Sequence, residues 1–477
     1  MKRWRQRVAL LAITGTLVWQ LPANAESLPN LFPFLNSTGF LETYNTAGGP
    51  INLSGPFFQS LGTNGRSCAT CHRPAQGWSI SSDEVKLRFE LTQGRDPIFR
   101  TVDGSTCNEH IETGTLAGRR KAYSLLLDRG LIRVELPVPE NAEFTVASVE
   151  NPYGCDSASA LSLYRRPVPS TNLRFQSAIM WDGRESTPQT GTQKITYATN
   201  PTDLLADLAH QAFDATNGHA QGTTPLTAAQ QKQIVDFEMA LITAQAYDYR
   251  AGALDSGGAD GGPVFLAKHA MPDFFVSIND PLGGNAKNIP FTPTIFKLFD
   301  DWTQVVGWPF GLFGPERVRR ESIARGQAIF NSKPITITGV SGLNDDLNLA
   351  SIPGTCGTCH DSPSVGNHSL AVPLNIGAGD PDSPLDVSYL PVFTLQNNTT
   401  FETVRTTDPG RALISGAWKD IGRVKGPILR GLSSRAPYFH NGSARNLGDV
   451  VDFYNTRFHV GFSTREKEDL IAFLSAL

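Results

Sequence analysis

Methionine is scarce in this chain: four residues in 477, with none beyond Met271. The C-terminal part therefore offers no thioether to a metal. Cysteine is nearly as rare, at six, and positive charge is not in excess, with a formal net charge of −4. That balance argues against nucleic acid as a partner and favours a basic one. Long apolar runs are lacking too. The run Val8 to Trp19 is too short to span a bilayer comfortably. It follows Lys2, Arg3, Arg5 and Arg7 and precedes Ala23-Asn24-Ala25, the pattern of a secretory signal peptide over 1–25, cleaved near Ala25. The expectation is a periplasmic protein with no membrane span after cleavage.

What is present is concentrated in two short stretches. Cys68-Ala69-Thr70-Cys71-His72 and Cys356-Gly357-Thr358-Cys359-His360 both read C-x-x-C-H, the attachment signature of a c-type haem. The thiols add to the haem vinyl groups, and the adjoining imidazole lies under the iron as proximal ligand. Composition alone would yield roughly 0.001 such matches. A zinc knuckle or a thiol–disulfide pair explains C-x-x-C and leaves the His unexplained twice. Two covalently bound haem c groups are expected. The remaining pair, Cys107 and Cys155, in an exported chain points to a disulfide.

The chain divides into 26–255, an N-terminal cytochrome c-like haem domain with an insertion over 82–170, a linker 256–310, and a C-terminal cytochrome c-like haem domain 311–477. The insertion reads as loop with a little β-structure, as at Leu131–Leu136 and Phe144–Val146. Thr227 and Gln230 form a capping box ahead of Ile234, Phe237 and Leu241 on one helical face. A second amphipathic stretch covers Arg317–Phe330, and Ser463 with Glu466 caps a terminal helix carrying Leu470, Ile471, Leu474 and Leu477. The fold class expected is mainly α, with two haem domains, long loop insertions and minor β-structure.

A second axial ligand is usually Met or His. Downstream of His360 the candidates are His368, His440, His459 and Tyr454; for the first site they are His110, His210, His219 and His269.

The run Arg435-Ala436-Pro437-Tyr438-Phe439-His440-Asn441-Gly442, followed by Leu447 and Val450–Tyr454, resembles the bacterial di-haem cytochrome c peroxidase family. So does Met180-Trp181-Asp182-Gly183-Arg184. The resemblance, with its longer, insertion-bearing members, covers most of 55–477. It implies a peroxide-reacting first haem, Trp181 between the haems, and a second haem fed by a small electron-donor protein, a cytochrome c or a cupredoxin. Its distal Gln-Ala pair falls on Gln211-Ala212. Its distal Glu falls on Gln221, which cannot exchange a proton usefully, and His219 lies nearby to take that role. The family's removable sixth His falls on Arg88, which leaves the first haem open. The sixth ligand of the second haem falls on Tyr454, as in the branch that matures methylamine dehydrogenase. Its calcium ligands fall on Arg166 and Arg435, which argues against calcium. His440 belongs to the inter-haem region. The function implied is reduction of hydrogen peroxide with electrons delivered through the second haem. Two alternatives stand beside it: peroxide- or oxygen-dependent oxidation of an organic or protein substrate, and a non-enzymatic two-haem electron carrier.

Overall fold

The computed structural model describes residues 26–107, 109, 111–155, 158–186, 201–269, 274–281, 287–304, 314–370 and 372–477. The signal-peptide stretch 1–25, His110, Met271 and the His269 side chain, all considered above, lie outside the described residues. Among those described, no helix is long and apolar enough to cross a membrane.

Each half is built on a pair of helices and a haem-motif turn. In the first half α4 (Pro201–Gly218) packs on α5 (Ala228–Ala240), and in the second α7 (Pro315–Ser332) packs on α10 (Thr464–Ser475). The capping boxes work as their sequences predict. Thr227 Oγ1 accepts from the Gln230 amide at 3.2 Å, and Ser463 Oγ accepts from the Glu466 amide at 3.3 Å. The α7–α10 crossing is close because Gly326 has no Cβ; one added there would meet the Asp469 carbonyl oxygen at 2.0 Å. The second core gathers Ile323, Phe330, Leu470 and Phe473 with Phe296, Phe299 and Trp302, so the stretch 256–310 contributes core as well as connection. The first core holds Phe57, Trp78, Ile234 and Leu241.

The expectation of a mainly α fold is overturned. Over the described residues the structure is mixed α/β, 32% helical and 17% strand, with ten helices and several sheets. Strand β3 (Gly39–Asn45) is paired antiparallel with β8 (Leu241–Asp248), and Thr43 and Thr243, 200 residues apart, share a hydrogen bond. Strand β6 (Phe144–Glu150) pairs with β12 (Val392–Asn397), stitching the first half's insertion to the second half. Pairings between segments this distant leave no local period to read. The insertion 82–170 also holds three helices, α1 (Ser82–Thr92), α2 (Leu116–Ala122) and α3 (Ser124–Arg129). In α1 only Val85 and Phe89 are buried, a stripe too sparse to show a helical period.

Candidate active site

The first C-x-x-C-H forms one tight turn. The Ser67 amide donates to Thr70 Oγ1 at 3.0 Å, and the His72 amide reaches back to the Cys68 carbonyl at 3.0 Å. Nδ1 of His72 lies 3.0 Å from the Trp78 carbonyl. A carbonyl can only accept, so Nδ1 carries the proton and Nε2 is left bare for a metal. Trp78 holds a left-handed backbone, φ 59°, and its indole donates to Thr43 Oγ1 at 2.9 Å. The buried β3–β8 pairing thus orients the ligand histidine at second hand. Burial pushes the His72 imidazole down to about 4, the neutral form a metal needs.

A cavity of about 110 Å³ adjoins this turn, lined by Cys68, Cys71, His72, Gln211, His219 and Glu238 among others. Gln211 comes from α4, and His219 follows its last turn. His219 Nδ1 lies 2.5 Å from Asp103 Oδ2, and Asp103 is also paired with Arg66. Burial raises the Asp103 carboxyl, but the bond from His219 and the Arg66 charge outweigh it and hold the group below the ordinary range. Asp103 is therefore a carboxylate that fixes the His219 ring. Gln221, the position of the family's distal Glu, bonds to Asn64 on the exposed side and is not among the residues lining this cavity. Arg88 braces the haem turn, donating to the Thr70 carbonyl at 2.7 Å.

Sequence reasoning missed Glu238. It is 5% exposed, its Oε2 has no partner among the described residues, and burial pushes its carboxyl up to about 8 against a weaker pull from Ser170. A signal was available. The helix ends Phe237-Glu238-Met239-Ala240-Leu241 and Phe473-Leu474-Ser475-Ala476-Leu477 match in register, placing an acid where the second half has leucine.

The second motif repeats the first. Thr355 donates its amide to Thr358 Oγ1 at 3.0 Å, and Nδ1 of His360 lies 2.7 Å from the Gly366 carbonyl, six residues on, as in the first half. Gly366 has φ 78°, and a Cβ there would meet the Phe296 ring at 2.9 Å. Burial lowers the His360 imidazole too. Opposite it, on α9 (Leu447–Arg457), the Tyr454 hydroxyl lies 3.5 Å from His360 Nε2. Burial raises that phenol well above its ordinary range. The other candidates stand elsewhere: His368 Nδ1 bonds Asp361 at 3.1 Å, His459 is exposed, and His210 bonds Glu185 at 2.6 Å. This site opens on a cavity of about 240 Å³ whose wall includes Cys356, Cys359, His360, Tyr454, Trp181 and His440.

Trp181 and His440 occupy the same place in two copies of one turn. Their preceding residues, Met180 and Phe439, have φ 67° and 63°, and the bridges Ile179–Glu185 and Tyr438–Ala444 close the two turns alike. The Trp181 indole donates to the Arg166 carbonyl at 2.7 Å. His440 is buried beside Asp408, 3.8 Å away, and burial lowers its imidazole to about 4. Arg166 spends its guanidinium on the carbonyls of Arg129, Gly130, Ile80 and Arg435. Away from both sites, the structure joins Cys107 to Cys155.

The residues fit haem c at both turns: two thiols one turn apart, and a neutral imidazole whose Nε2 is freed by the carbonyl bond at Nδ1. No family model matches the chain. It is 36% identical over 144 residues to cytochrome-c peroxidase IdrP2 of Denitromonas iodatirespirans, covering 28% of this chain and 38% of that protein. It is 29% identical over 180 residues to cytochrome-c peroxidase IdrP1 of Pseudomonas sp. (strain SCT), covering 34% and 42%. These matches support a relationship to the di-haem cytochrome c peroxidase family. It spans about two fifths of the length of these curated relatives. Among solved structures it is similar to a MauG-like protein associated with microbial copper homeostasis, at TM-score 0.35 and 14% identity over 96% of this chain and 95% of that one.

Proposed function

We propose that this peroxidase relative is a periplasmic di-haem enzyme that reduces hydrogen peroxide. A small cytochrome c or cupredoxin would deliver the electrons through the second site. The observation that carries the reading is the inequality of two like-built sites. The first cavity holds groups that bind and move protons, Gln211, His219 and Glu238, whereas the second has Tyr454 facing its histidine.

Haem c bound at such sites supplies the redox-active iron. Cys68, Cys71 and His72 would hold one such group, and Cys356, Cys359, His360 and Tyr454 would hold the other. Gln211 would hydrogen-bond peroxide and orient it. His219, steadied by the Asp103 carboxylate, would carry a proton from one peroxide oxygen to the other, so that water leaves. The Trp181 and His440 rings meet with centroids 6.2 Å apart in the wall of the second cavity, and Met180, beside Trp181, lines both cavities, which supports a path between the sites.

The test is stopped-flow mixing of ferric and half-reduced protein with hydrogen peroxide, following both Soret bands. Fast change at one band followed by decay on adding a small redox protein is expected. Two six-coordinate haems inert to peroxide would leave a plain electron carrier. A second reading, oxidation of an organic or protein substrate, is favoured by Tyr454. It gains if the oxidised enzyme decays only with such a substrate.

A further inference from the structure

The wall of the second cavity has an unbalanced charge. Four cationic side chains line it, Arg166, Lys425, Arg430 and Arg435, and no acidic side chain among the described residues does. Three of the four are engaged. Arg166 donates to main-chain carbonyls, Arg435 donates to the carbonyls of Ile428 and Arg430 at 2.9 and 2.7 Å, and Lys425 donates to Gln176 Oε1 at 2.7 Å.

Arg430 is different. It is 2% exposed, and Nε, Nη1 and Nη2 all lack a partner among the described residues. Burial alone drags the guanidinium down to about 9, with no carboxylate near enough to restore it. A buried cation left uncompensated is costly, and breaking a buried ion pair by removing one partner is strongly destabilising. The fold keeps Arg430 here all the same, so the missing partner belongs to whatever fills the cavity. The matching position in the first half is Thr171. The two halves can be aligned there because the amides of Asn172 and Gly431 both donate to the ends of their half's last helix region, Leu241 and Leu477, at 3.0 Å. Thr171 is fully satisfied by Leu241 and Thr243. The unpaired cation is thus a property of the second site alone.

We propose that Arg430 is the carboxylate-receiving residue of the second site, its planar fork paired with a carboxylate of the group attached at Cys356 and Cys359. This rests on the di-haem reading, in which that group is haem c and the carboxylate is a propionate. Guanidinium suits this role because its N–H donors lie in one plane and match a carboxylate two-to-two. A free small carboxylate could satisfy the same donors, and the experiment separates the two sources.

The full-length, haem-loaded protein is compared with Arg430→Gln and Arg430→Lys by spectroelectrochemistry, with formate titrated over each. Loss of the cation leaves a carboxylate uncompensated beside the iron, so Arg430→Gln is expected to shift the second haem's potential downward. Arg430→Lys, which keeps the charge, is expected to stay near the parent value. Indifference to formate assigns the partner to the attached group. A saturable formate response that Arg430→Gln abolishes assigns it to a free carboxylate and overturns the propionate pairing. Equal potentials in all three proteins overturn the proposal outright. Should the Cys356–Cys359 peptide carry no haem by mass in the parent protein, the di-haem reading itself fails, and the variants are not needed to show it.

Discussion

The Trp181 carbonyl accepts from the Lys425 amide at 2.7 Å, while the His440 carbonyl accepts from the Arg166 amide at 2.6 Å. Each turn is therefore held by the residue that precedes the other turn at the same offset, and the Trp181 and His440 rings meet with centroids 6.2 Å apart. The junction behaves like an isologous interface folded within one chain. Trp181→Phe removes the bond to the Arg166 carbonyl and leaves a smaller ring, widening the gap to His440. If both sites hold haem c, it should slow exchange of electrons between the two haems while the initial reaction with peroxide keeps its rate; equal inter-haem rates in flash-reduction experiments would remove Trp181 from the path.

Tyr454 is the next test. Its hydroxyl faces His360 Nε2, and no methionine lies in the second half to replace it. A phenolate ligand stabilises ferric iron relative to a neutral one. Tyr454→Phe should change the low-spin ferric spectrum and raise that haem's potential, and Tyr454→Met should raise it further. An intact spectrum in Tyr454→Phe would move the assignment elsewhere.

For the first site, His219→Ala should slow reaction with peroxide by about 10²–10⁴-fold if the imidazole is the proton carrier. Asp103→Asn should slow it in the same direction, since Asp103 holds His219 through Nδ1. If His219 closes the iron instead, its removal should open the site and leave a high-spin spectrum without slowing the reaction.

Glu238 gives a pH signature. Its carboxyl is raised to about 8 in the fold, chiefly by burial, so between the ordinary carboxyl range and pH 8 the folded chain binds a proton that the unfolded chain has released. Stability contributed by the neutral acid is complete below about pH 4.5 and is lost as pH rises towards 8, by at most about 1.4 kcal/mol per pH unit. Glu238→Gln should flatten this part of the stability profile in urea titrations. An unchanged slope would mean that the acid is already ionised in the fold.

The Cys107–Cys155 bridge closes a loop with a sequence separation of 48. A chain-entropy estimate puts its contribution at roughly 4 kcal/mol. The double Ser variant should lose about that much in denaturant midpoint analysis, and alkylation of the denatured parent protein should find no free thiol.

The C-x-x-C-H turns, their histidines and the capped helices were legible in the sequence, because each rests on contacts within a few residues, while Tyr454 came from the family resemblance, and its hydroxyl lies 3.5 Å from His360 Nε2. The hydrogen bonds six residues downstream, at Trp78 and Gly366, follow from the same local turn. Much of the rest depended on pairings that span the chain. The β3–β8 and β6–β12 ladders turn an expected α-rich protein into a mixed one, and no periodicity announces a partner 200 residues away. Asp103 sits in the loop-like insertion and meets His219 only when the fold brings them together. Glu238 and Arg430 look like ordinary surface charges in a linear reading. Their meaning comes from burial, which decides whether a charge is solvated or must find a partner, and burial is a property of the packed tertiary structure.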